Sequence, residues 1–365
     1  MTTKANTLTL ERLRRHAIRR SLFAPTTLKR AIDRLGFVQA DPIRAPARAQ
    51  DLTLRLRVRD YCAGDLERRI TSLDVHEDFF VNYGFLPGEH WLRMHPRSGT
   101  SPWSAARKRQ AQTVLEFVRE RGPVHPREVD AHFAHGKVTN WFGGSSNAST
   151  QLLDAMHYRG LLRVARRDGG TRVYAACDHD PARVDAATRR ARLDALVDVI
   201  VGKYAPLPAT SLSGLVARLR LAVPQWRGEV KAALARAKER LASAEVDGVR
   251  WYWPADEALP RGEPDDELRL LAPFDPVVWD RRRFEIFWGW AYRFEAYTPA
   301  PKRKLGYYAL PLLWRDEVIG WGNVSVAGGR LDAQLGYVAG TAPRDALFRR
   351  ALDAELARIE RFVGA

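Results

Sequence analysis

The sequence is poor in cysteine and has no long apolar run. Only Cys62 and Cys177 occur, too few for a disulfide framework, a cysteine zinc site or an iron-sulfur cluster, and typical of a reducing compartment. No apolar run approaches the roughly 18 residues that span a bilayer, and residues 1–4 lack the apolar core of a secretion signal. The sequence therefore predicts a soluble, cytoplasmic protein.

Acidic residues are also scarce relative to basic ones. The 59 Lys and Arg outnumber 43 Asp and Glu, which gives a formal net charge of +16. The excess is spread along the chain, so positive faces are expected on the folded body, and phosphate backbones are their usual partners. A GC-rich genome can produce the same bias through composition alone. The charge therefore favours DNA as a partner without establishing it.

Hydrophobic and aromatic residues are plentiful. Of the 365 residues 45% are hydrophobic, with 11 Trp, 14 Phe and 11 Tyr. This content can build sizeable cores, so it argues against disorder and predicts two or three domains.

The first hundred residues predict two helices and two short strands. Apolar spacing predicts a helix over residues 8–21, and Thr26-Thr27 can cap a second helix that ends at Gly36. A short strand with Gln39 follows, and the alternating Leu52–Val58 stretch predicts another. Helices followed by strands resemble a winged helix.

The middle of the chain repeats this order twice. A helix over residues 104–121, a helix from Pro126 to Phe133 and a helix over Ala148–Tyr158 precede strands Leu161–Arg166 and Arg172–Ala176. Three helices and a hairpin are the winged-helix order. The next copy has helices at 187–203, Ser211–Leu219 and Gln225–Ser243 and a hairpin at Val246–Trp253.

The end of the chain is rich in strands. Strands are predicted over Leu268–Leu271, Gly306–Leu313, Glu317–Val326 and Gly329–Val338, and a closing helix over Ala342–Val363. The predicted fold class is α+β and mostly helical, with three tandem winged-helix domains, a C-terminal β-rich subdomain and a terminal helix. The predicted boundaries are 1–100 for the first winged helix, which includes the strand with Gln39, then 101–180, 181–260 and 261–365.

The strand after Gly36 carries two polar residues, Gln39 and Asp41. Alternation along a strand places both on one face. An amide beside a carboxylate on a basic protein suggests chemistry directed at a polyanion, although a Gln-x-Asp pair taken alone is usually an ordinary surface feature.

Longer motifs extend this observation into a resemblance. The chain is similar to the YcaQ/AlkZ-type winged-helix DNA glycosylases over nearly its whole length. The matching stretches are Gly36–Asp41, Arg48–Leu52, Leu271–Arg283, Tyr292–Tyr297, Pro299, Lys302-Arg303, Gly306–Tyr308 and Leu310-Pro311.

The resemblance implies a basic concave surface of three winged helices and removal of bulky alkylated purines, including unhooking of interstrand crosslinks. It identifies Gln39 and Asp41 as the catalytic pair, in the Gln-x-Asp version. Asp41 would stabilise an oxocarbenium-like sugar or deprotonate a water, and Gln39 would position that water. Because an N7-alkylated guanine is already a good leaving group, the reaction requires no metal or organic cofactor.

Basic clusters near predicted loops are candidates for phosphate contacts, with a solvated basic edge as the equal alternative. The expected partner is duplex DNA with alkylated bases, bound by a monomer. The predicted DNA-binding residues are Arg48, Arg281, Arg282, Arg283, Lys302 and Arg303.

The chain departs from the family pattern at three places, which bear on its substrate range. Val81 and Gly84 replace polar or aromatic residues, and the usual charged turn near Gly320–Arg330 reads Trp321, Asn323 and Ser325. The family's histidine has no counterpart near Gly336.

Other candidate sites are weaker. His132 and His135 have helical spacing but no further ligand nearby, so a metal site is not predicted. His76, His90 and His95 are expected to be packed or solvated. The rival function is a DNA-binding protein without catalysis, such as a regulator or a nucleoid protein, and an RNA-directed role is a third possibility.

Overall fold

The computed structural model of the protein describes residues 8–134, 136–139, 145–177, 184–259 and 262–365. The fold is mixed α/β, with more helix than strand. None of the helices within these ranges combines the length and the apolar character of a membrane span.

The helices are α1 Leu10–Ser21, α2 Leu28–Leu35, α3 Ala49–Leu54, α4 Asp65–Arg69, α5 Gly88–Met94, α6 Ala105–Arg121, α7 Pro126–Phe133, α8 Ala148–Tyr158, α9 Ala186–Tyr204, α10 Ala209–Ala217, α11 Leu219–Ala222, α12 Val230–Arg240, α13 Pro276–Trp279, α14 Arg281–Trp288 and α15 Ala346–Val363. The strands are β1 Val38–Gln39, β2 Val75–Phe79, β3 Tyr83–Pro87, β4 Lys137–Thr139, β5 Ser145–Asn147, β6 Leu162–Asp168, β7 Thr171–Ala176, β8 Leu207–Pro208, β9 Ala242–Val246, β10 Val249–Trp253, β11 Leu268–Leu270, β12 Leu310–Trp314, β13 Glu317–Ala327 and β14 Arg330–Tyr337.

The described residues group into two compact units. The first contains those of residues 1–66, 197–216 and 234–365, and the second contains those of 67–196 and 217–233. Each unit is therefore assembled from separate stretches of the chain. The division of the sequence into four consecutive domains stays a prediction.

The second unit contains the element order that the sequence predicted most clearly. Ser104 caps α6, Pro126 opens α7, and α8 is followed by the antiparallel hairpin of β6 and β7. Val114, Leu153 and further apolar side chains from these elements form one core cluster. The helices and the hairpin are confirmed, and their assignment as a winged helix stays a prediction. The sequence also predicts a polar entry to α8 at Gly143–Asn147, of which Gly143-Gly144 lie outside the described residues.

The first unit is built around two antiparallel sheets. One has the strand order β8, β10, β9 and the other the order β11, β12, β13, β14. Trp251 on β10 is fully buried and stacks on Phe287 of α14, with ring centroids 5.0 Å apart. A core cluster that includes Ile18, Leu271 and Phe284 joins α1 to α14 and to the sheet of β11 to β14.

The strand predicted over Leu52–Val58 is wrong. Residues 49–54 form α3, all of whose side chains are buried, and turns follow. The alternation of apolar and basic residues imitates a half-exposed strand, but Arg57 is fully buried. A pattern that counts every arginine as exposed therefore assigns the wrong period to this stretch.

Three predicted boundaries also move. The strand predicted over Gly306–Leu313 is β12, the helix predicted over Gln225–Ser243 is α12, and the helix predicted over Ala342–Val363 is α15. No strand begins at Gly306, because its φ of 114° lies outside the range of a strand, and β12 begins at Leu310. α15 begins late because Asp345 caps it by accepting a backbone N–H bond.

A fully buried ion pair joins distant parts of the first unit. Arg57 donates from Nη1 to Asp275 Oδ2 over 2.8 Å and from Nη2 to Oδ1 over 3.1 Å. Arg57 also donates to the backbone oxygens of Ser21 and Thr53 at 2.7 Å. Asp275 accepts the backbone N–H of Val277 at 3.0 Å as the cap of α13. The bidentate pair therefore links the end of α1, α3 and the start of α13.

Lys203, near the end of α9, lies beside this ion pair. Its side chain is buried, and its Nζ donates to the backbone oxygen of Phe37. Burial and then the charge of Arg57 lower the pKa of Lys203 to about 7, and Asp275 opposes that shift. Lys203 thus bonds to the chain two residues before Gln39.

We expect Asp275→Asn to lower the free energy of unfolding by about 3–5 kcal/mol, because the Arg57 charge stays buried without a counter-charge. Urea unfolding measures the change. The matched control is Asp266→Asn, which removes a partly exposed ion pair with Arg315 and should cost less than about 1 kcal/mol. Equal costs for the two variants would contradict the role assigned to the buried pair.

Lys203 should make stability depend on pH. Its pKa is about 7 in the folded protein and about 10.4 in an unfolded chain, so only the unfolded chain binds the proton readily between these values. As the pH falls from about 10 to about 7, the wild type should lose about 2–4 kcal/mol of unfolding free energy relative to Lys203→Met. No further loss is expected below about pH 7. Urea unfolding at several pH values measures this difference, and a difference independent of pH would refute the perturbed lysine.

Candidate active site

Gln39 and Asp41 follow directly on the end of α2. Gly36 ends that helix with a φ of 65°, a left-handed conformation that glycine adopts without strain. Phe37 and Val38 are fully buried. A helix end and two apolar anchors therefore fix the chain as it reaches Gln39.

The prediction that one strand carries both Gln39 and Asp41 is wrong, because β1 ends at Gln39. The backbone N–H of Asp41 donates to Gln50 Oε1 over 3.2 Å instead of to a strand. The Asp41 Oδ1 atom accepts the backbone N–H of Ile43 at 2.9 Å, which closes a turn over Pro42. Asp41 is thus held by α3 and by its own turn.

The side-chain amide of Gln39 has a fixed orientation. Gln39 is 6% exposed, and its Oε1 accepts the indole N–H of Trp279 over 2.6 Å. An indole nitrogen only donates, so the oxygen of Gln39 must face Trp279 and the NH₂ group must point the other way. The amide can therefore donate to a water or a sugar oxygen.

The carboxylate of Asp41 is half-buried. Burial raises its pKa above the ordinary 3.8, and the bond from Ile43 opposes the shift. Among the residues that the structure describes, no donor is assigned to Oδ2. One carboxylate oxygen is thus held in place while the other is open to a ligand.

The charge of Asp41 acts on Tyr297 and Tyr308. Together with Phe294, which contacts both rings, they are called here the aromatic face. The Phe294 ring contacts those of Tyr297 and Tyr308 edge-on, with centroids 6.0 and 5.2 Å apart. After burial, the negative charge of Asp41 is the next cause that raises the pKa of both tyrosines. Each phenol therefore stays protonated and can donate a hydrogen bond.

Four predicted DNA-binding residues have surface that a phosphate could reach. Arg282 and Lys302 are exposed, and Arg48 and Arg303 are half-buried. Arg303 donates to the backbone oxygen of Thr298 over 2.8 Å. The assignment of these four to DNA stays a prediction.

The prediction of a DNA contact is corrected for Arg283. Its side chain is 1% exposed, and its guanidinium group donates to the backbone oxygens of Tyr204, Pro276 and Val277. A buried guanidinium with three such acceptors has no surface for a phosphate. These hydrogen bonds connect Arg283 of α14 to α9 and α13.

Arg281 is also largely committed within the protein. It donates to the backbone oxygens of Pro273 and Val278, and its guanidinium lies 4.5 Å from the ring centroid of Tyr292. Burial lowers its pKa. Of the Arg281–Arg283 run, only Arg282 is exposed.

Trp321 and Gly336, two positions that were predicted to depart from the family pattern, pack against each other. Trp321 of β13 pairs with Gly336 of β14, and a Cβ at Gly336 would lie only 2.3 Å from the Trp321 ring. Trp321 also stacks on Trp290, with centroids 5.9 Å apart. The indole therefore occupies the space that a side chain at position 336 would need.

The other departures have different environments. Asn323 donates from Nδ2 to the backbone oxygen of Leu305 over 2.7 Å, which supports the loop before Tyr308. Ser325 is exposed, and in the second unit Val81 and Gly84 are buried.

The candidate histidines are packed against neighbours. His76 stacks on Trp91 with centroids 4.3 Å apart, and His95 Nε2 lies 2.7 Å from Asp78 Oδ2. His132 stacks on Phe117, and its predicted partner His135 lies outside the described residues. Within the described part of the chain, no three metal-ligating side chains converge.

Sequence reasoning missed the roles of Gln50, Lys203 and Trp279. Gln50 and Trp279 lie in stretches that carry the family resemblance, so their motifs were a usable signal. Lys203 gave no signal, because an isolated lysine near the end of a helix is normally exposed.

Two comparisons with known proteins agree with this architecture. The family model for AlkZ-like DNA glycosylases matches residues 32–362. The solved structure of Streptomyces sahachiroi DNA glycosylase AlkZ is similar to this chain with a TM-score of 0.63 and 14% sequence identity, over 98% of this chain and 97% of that one. The chain therefore belongs to the AlkZ-like DNA glycosylases, a family of DNA-repair hydrolases that act on N-glycosyl bonds.

Proposed function

We propose that this protein is a monofunctional DNA glycosylase that removes bulky N7-alkylated purines, with interstrand crosslinks as further substrates. The observation that carries the proposal is the Gln39 and Asp41 pair. Trp279 orients the amide of Gln39, and the half-buried carboxylate of Asp41 keeps one oxygen open. Membership of the family supplies the reaction class.

The proposed chemistry suits these groups. An N7-alkylated guanine leaves as a neutral base, so positive charge develops on the sugar and not on the leaving group. The Asp41 carboxylate would stabilise that charge and accept a proton from the attacking water. The Gln39 amide would hold the water by donating from the NH₂ group that faces away from Trp279.

The proposal extends to binding and architecture. Arg48, Arg282, Lys302 and Arg303 would contact phosphates, because they are at least partly accessible and phosphate contacts supply most non-specific affinity. We also propose three winged-helix domains that grip duplex DNA, a monomeric state and a cytoplasmic location. Helices α6, α7 and α8 and the β6–β7 hairpin support the architecture, although the short β4–β5 pair lies between α7 and α8.

Asp41→Asn should reduce excision of N7-methylguanine from duplex DNA by at least about 100-fold, because it removes the negative charge beside the sugar. Duplex affinity should change by less than about 3-fold, since the phosphate contacts remain. Abasic sites scored after alkaline cleavage, and duplex binding at fixed salt, measure the two quantities.

Because burial raises the pKa of Asp41, wild-type excision should decline with falling pH before an ordinary carboxylate would protonate.

The matched control is Asp33→Asn, which removes an exposed carboxylate of α2 that pairs with Lys29, and it should excise like the wild type. Binding without excision by the wild type, on both monoadducts and crosslinks, would overturn the proposal. That outcome would favour the rival DNA-binding protein without catalysis.

Trp279→Phe should lower the excision rate about 3- to 10-fold, because it removes the hydrogen bond that orients the Gln39 amide but keeps an aromatic ring. Single-turnover excision measures the effect. In a Gln39→Ala background the same substitution should have no further effect, because the two residues act through one bond.

Trp288→Phe provides the matched control. It removes an indole hydrogen bond of similar length, 2.9 Å to the backbone oxygen of Asp316, in the same unit. Equal losses of excision in the Trp279 and Trp288 variants would indicate a general packing effect and would refute the positioning role of Trp279.

A further inference from the structure

Tyr297 is the most exposed large apolar side chain among the described residues, at 78%. Its ring contacts Phe294 with centroids 6.0 Å apart, which leaves most of its surface in solvent. An exposed aromatic ring presents a flat apolar face with a polar tip, so it can stack on a planar ligand.

The loop that carries Tyr297 is held by hydrogen bonds. Glu295 Oε2 accepts the backbone N–H groups of Lys304 and Leu305 at 2.9 and 2.7 Å. Asn323 donates to the backbone oxygen of Leu305, and Arg303 donates to that of Thr298. The exposed ring is therefore presented by a braced loop, so a partner that stacks on it loses little to the ordering of this segment.

The negative charge of Asp41 favours a positive ligand at the aromatic face. The negative charge of Asp41 acts on the phenol groups of both Tyr297 and Tyr308. The Tyr308 hydroxyl is buried and has no hydrogen-bond partner within the described ranges. The face of an aromatic ring is itself negative, so the ring of Tyr297 and the charge of Asp41 both attract a planar cation.

Positive side chains flank the same region. Lys302 and Lys304 are exposed, and the guanidinium of Arg303 lies 5.0 Å from the ring centroid of Tyr307. These cations suit phosphates, whereas Asp41 and the aromatic face suit a base that carries positive charge. One nucleotide of DNA with a cationic base combines both requirements.

We propose that Tyr297 is a specificity-determining residue, whose ring stacks on the damaged base and selects alkylated purines that are positively charged. This inference rests on the proposed function and names the discriminating contact at that site. Neutral lesions of the same shape can stack on the ring but gain no cation–π attraction.

The test compares two duplexes that cannot be cleaved and differ by one charge. One contains N7-methylguanine on a 2′-fluorinated sugar, and the other contains its neutral 7-deaza analogue on the same sugar. The wild type should bind the cationic duplex more tightly. Tyr297→Leu should reduce this preference about 3- to 30-fold, and Tyr297→Phe should keep it.

Tyr307→Leu is the matched control, because Tyr307 is also an exposed tyrosine of this loop, and it should keep the preference. An unchanged preference in Tyr297→Leu would overturn the proposal, even if both duplexes bound less tightly. Excision of cleavable N7-methylguanine by the wild type separates the two proposals. If the wild type excises and Tyr297→Leu keeps the preference, only the role of Tyr297 is contradicted. If the wild type does not excise, the proposed function is contradicted.

Discussion

The buried pair of Arg57 and Asp275 is the constraint on which the candidate active site depends. It joins the end of α1 and α3 to the first turn of α13. α13 in turn carries Trp279, which orients Gln39, and α3 carries Gln50, which holds the backbone of Asp41. Neither catalytic candidate is hydrogen-bonded to Arg57 or Asp275, yet each is positioned by a helix that the pair holds. Charges with no solvent exposure tolerate little displacement, because a small shift would leave one of them without its partner.

The site is also held from α9, a helix remote in sequence. Lys203 bonds to the backbone of Phe37, and Arg283 bonds to that of Tyr204. Backbone oxygens thus accept hydrogen bonds from the buried side chains of Lys203 and Arg283. This arrangement fixes the path of the main chain and leaves the side chains of Gln39 and Asp41 to a ligand.

Local signals in the sequence predicted much of the fold. The caps at Thr27 and Gly36 and the proline that opens α7 mark helix ends correctly, because each acts through neighbouring residues. Leu52–Val58 was mistaken for a strand because the burial of Arg57 depends on Asp275, 218 residues away. Arg283 was mistaken for a surface residue for the same reason, since its acceptors lie in α9 and α13. The position of Gln39 and Asp41 was predictable from motifs, whereas the bonds that orient them join residues far apart and carry no local pattern.

The packing of Trp321 over Gly336 restricts how this chain can change. A histidine introduced at position 336 would collide with the indole, since even a Cβ there lies 2.3 Å from the ring. Replacement of Trp321 alone would leave a gap against Trp290. Either single step is unfavourable, so the two positions must change together or in an order that passes through a less stable intermediate. Positions 321 and 336 of the β13–β14 ribbon are therefore coupled, because the residue present at one of them decides which residues the other can accept.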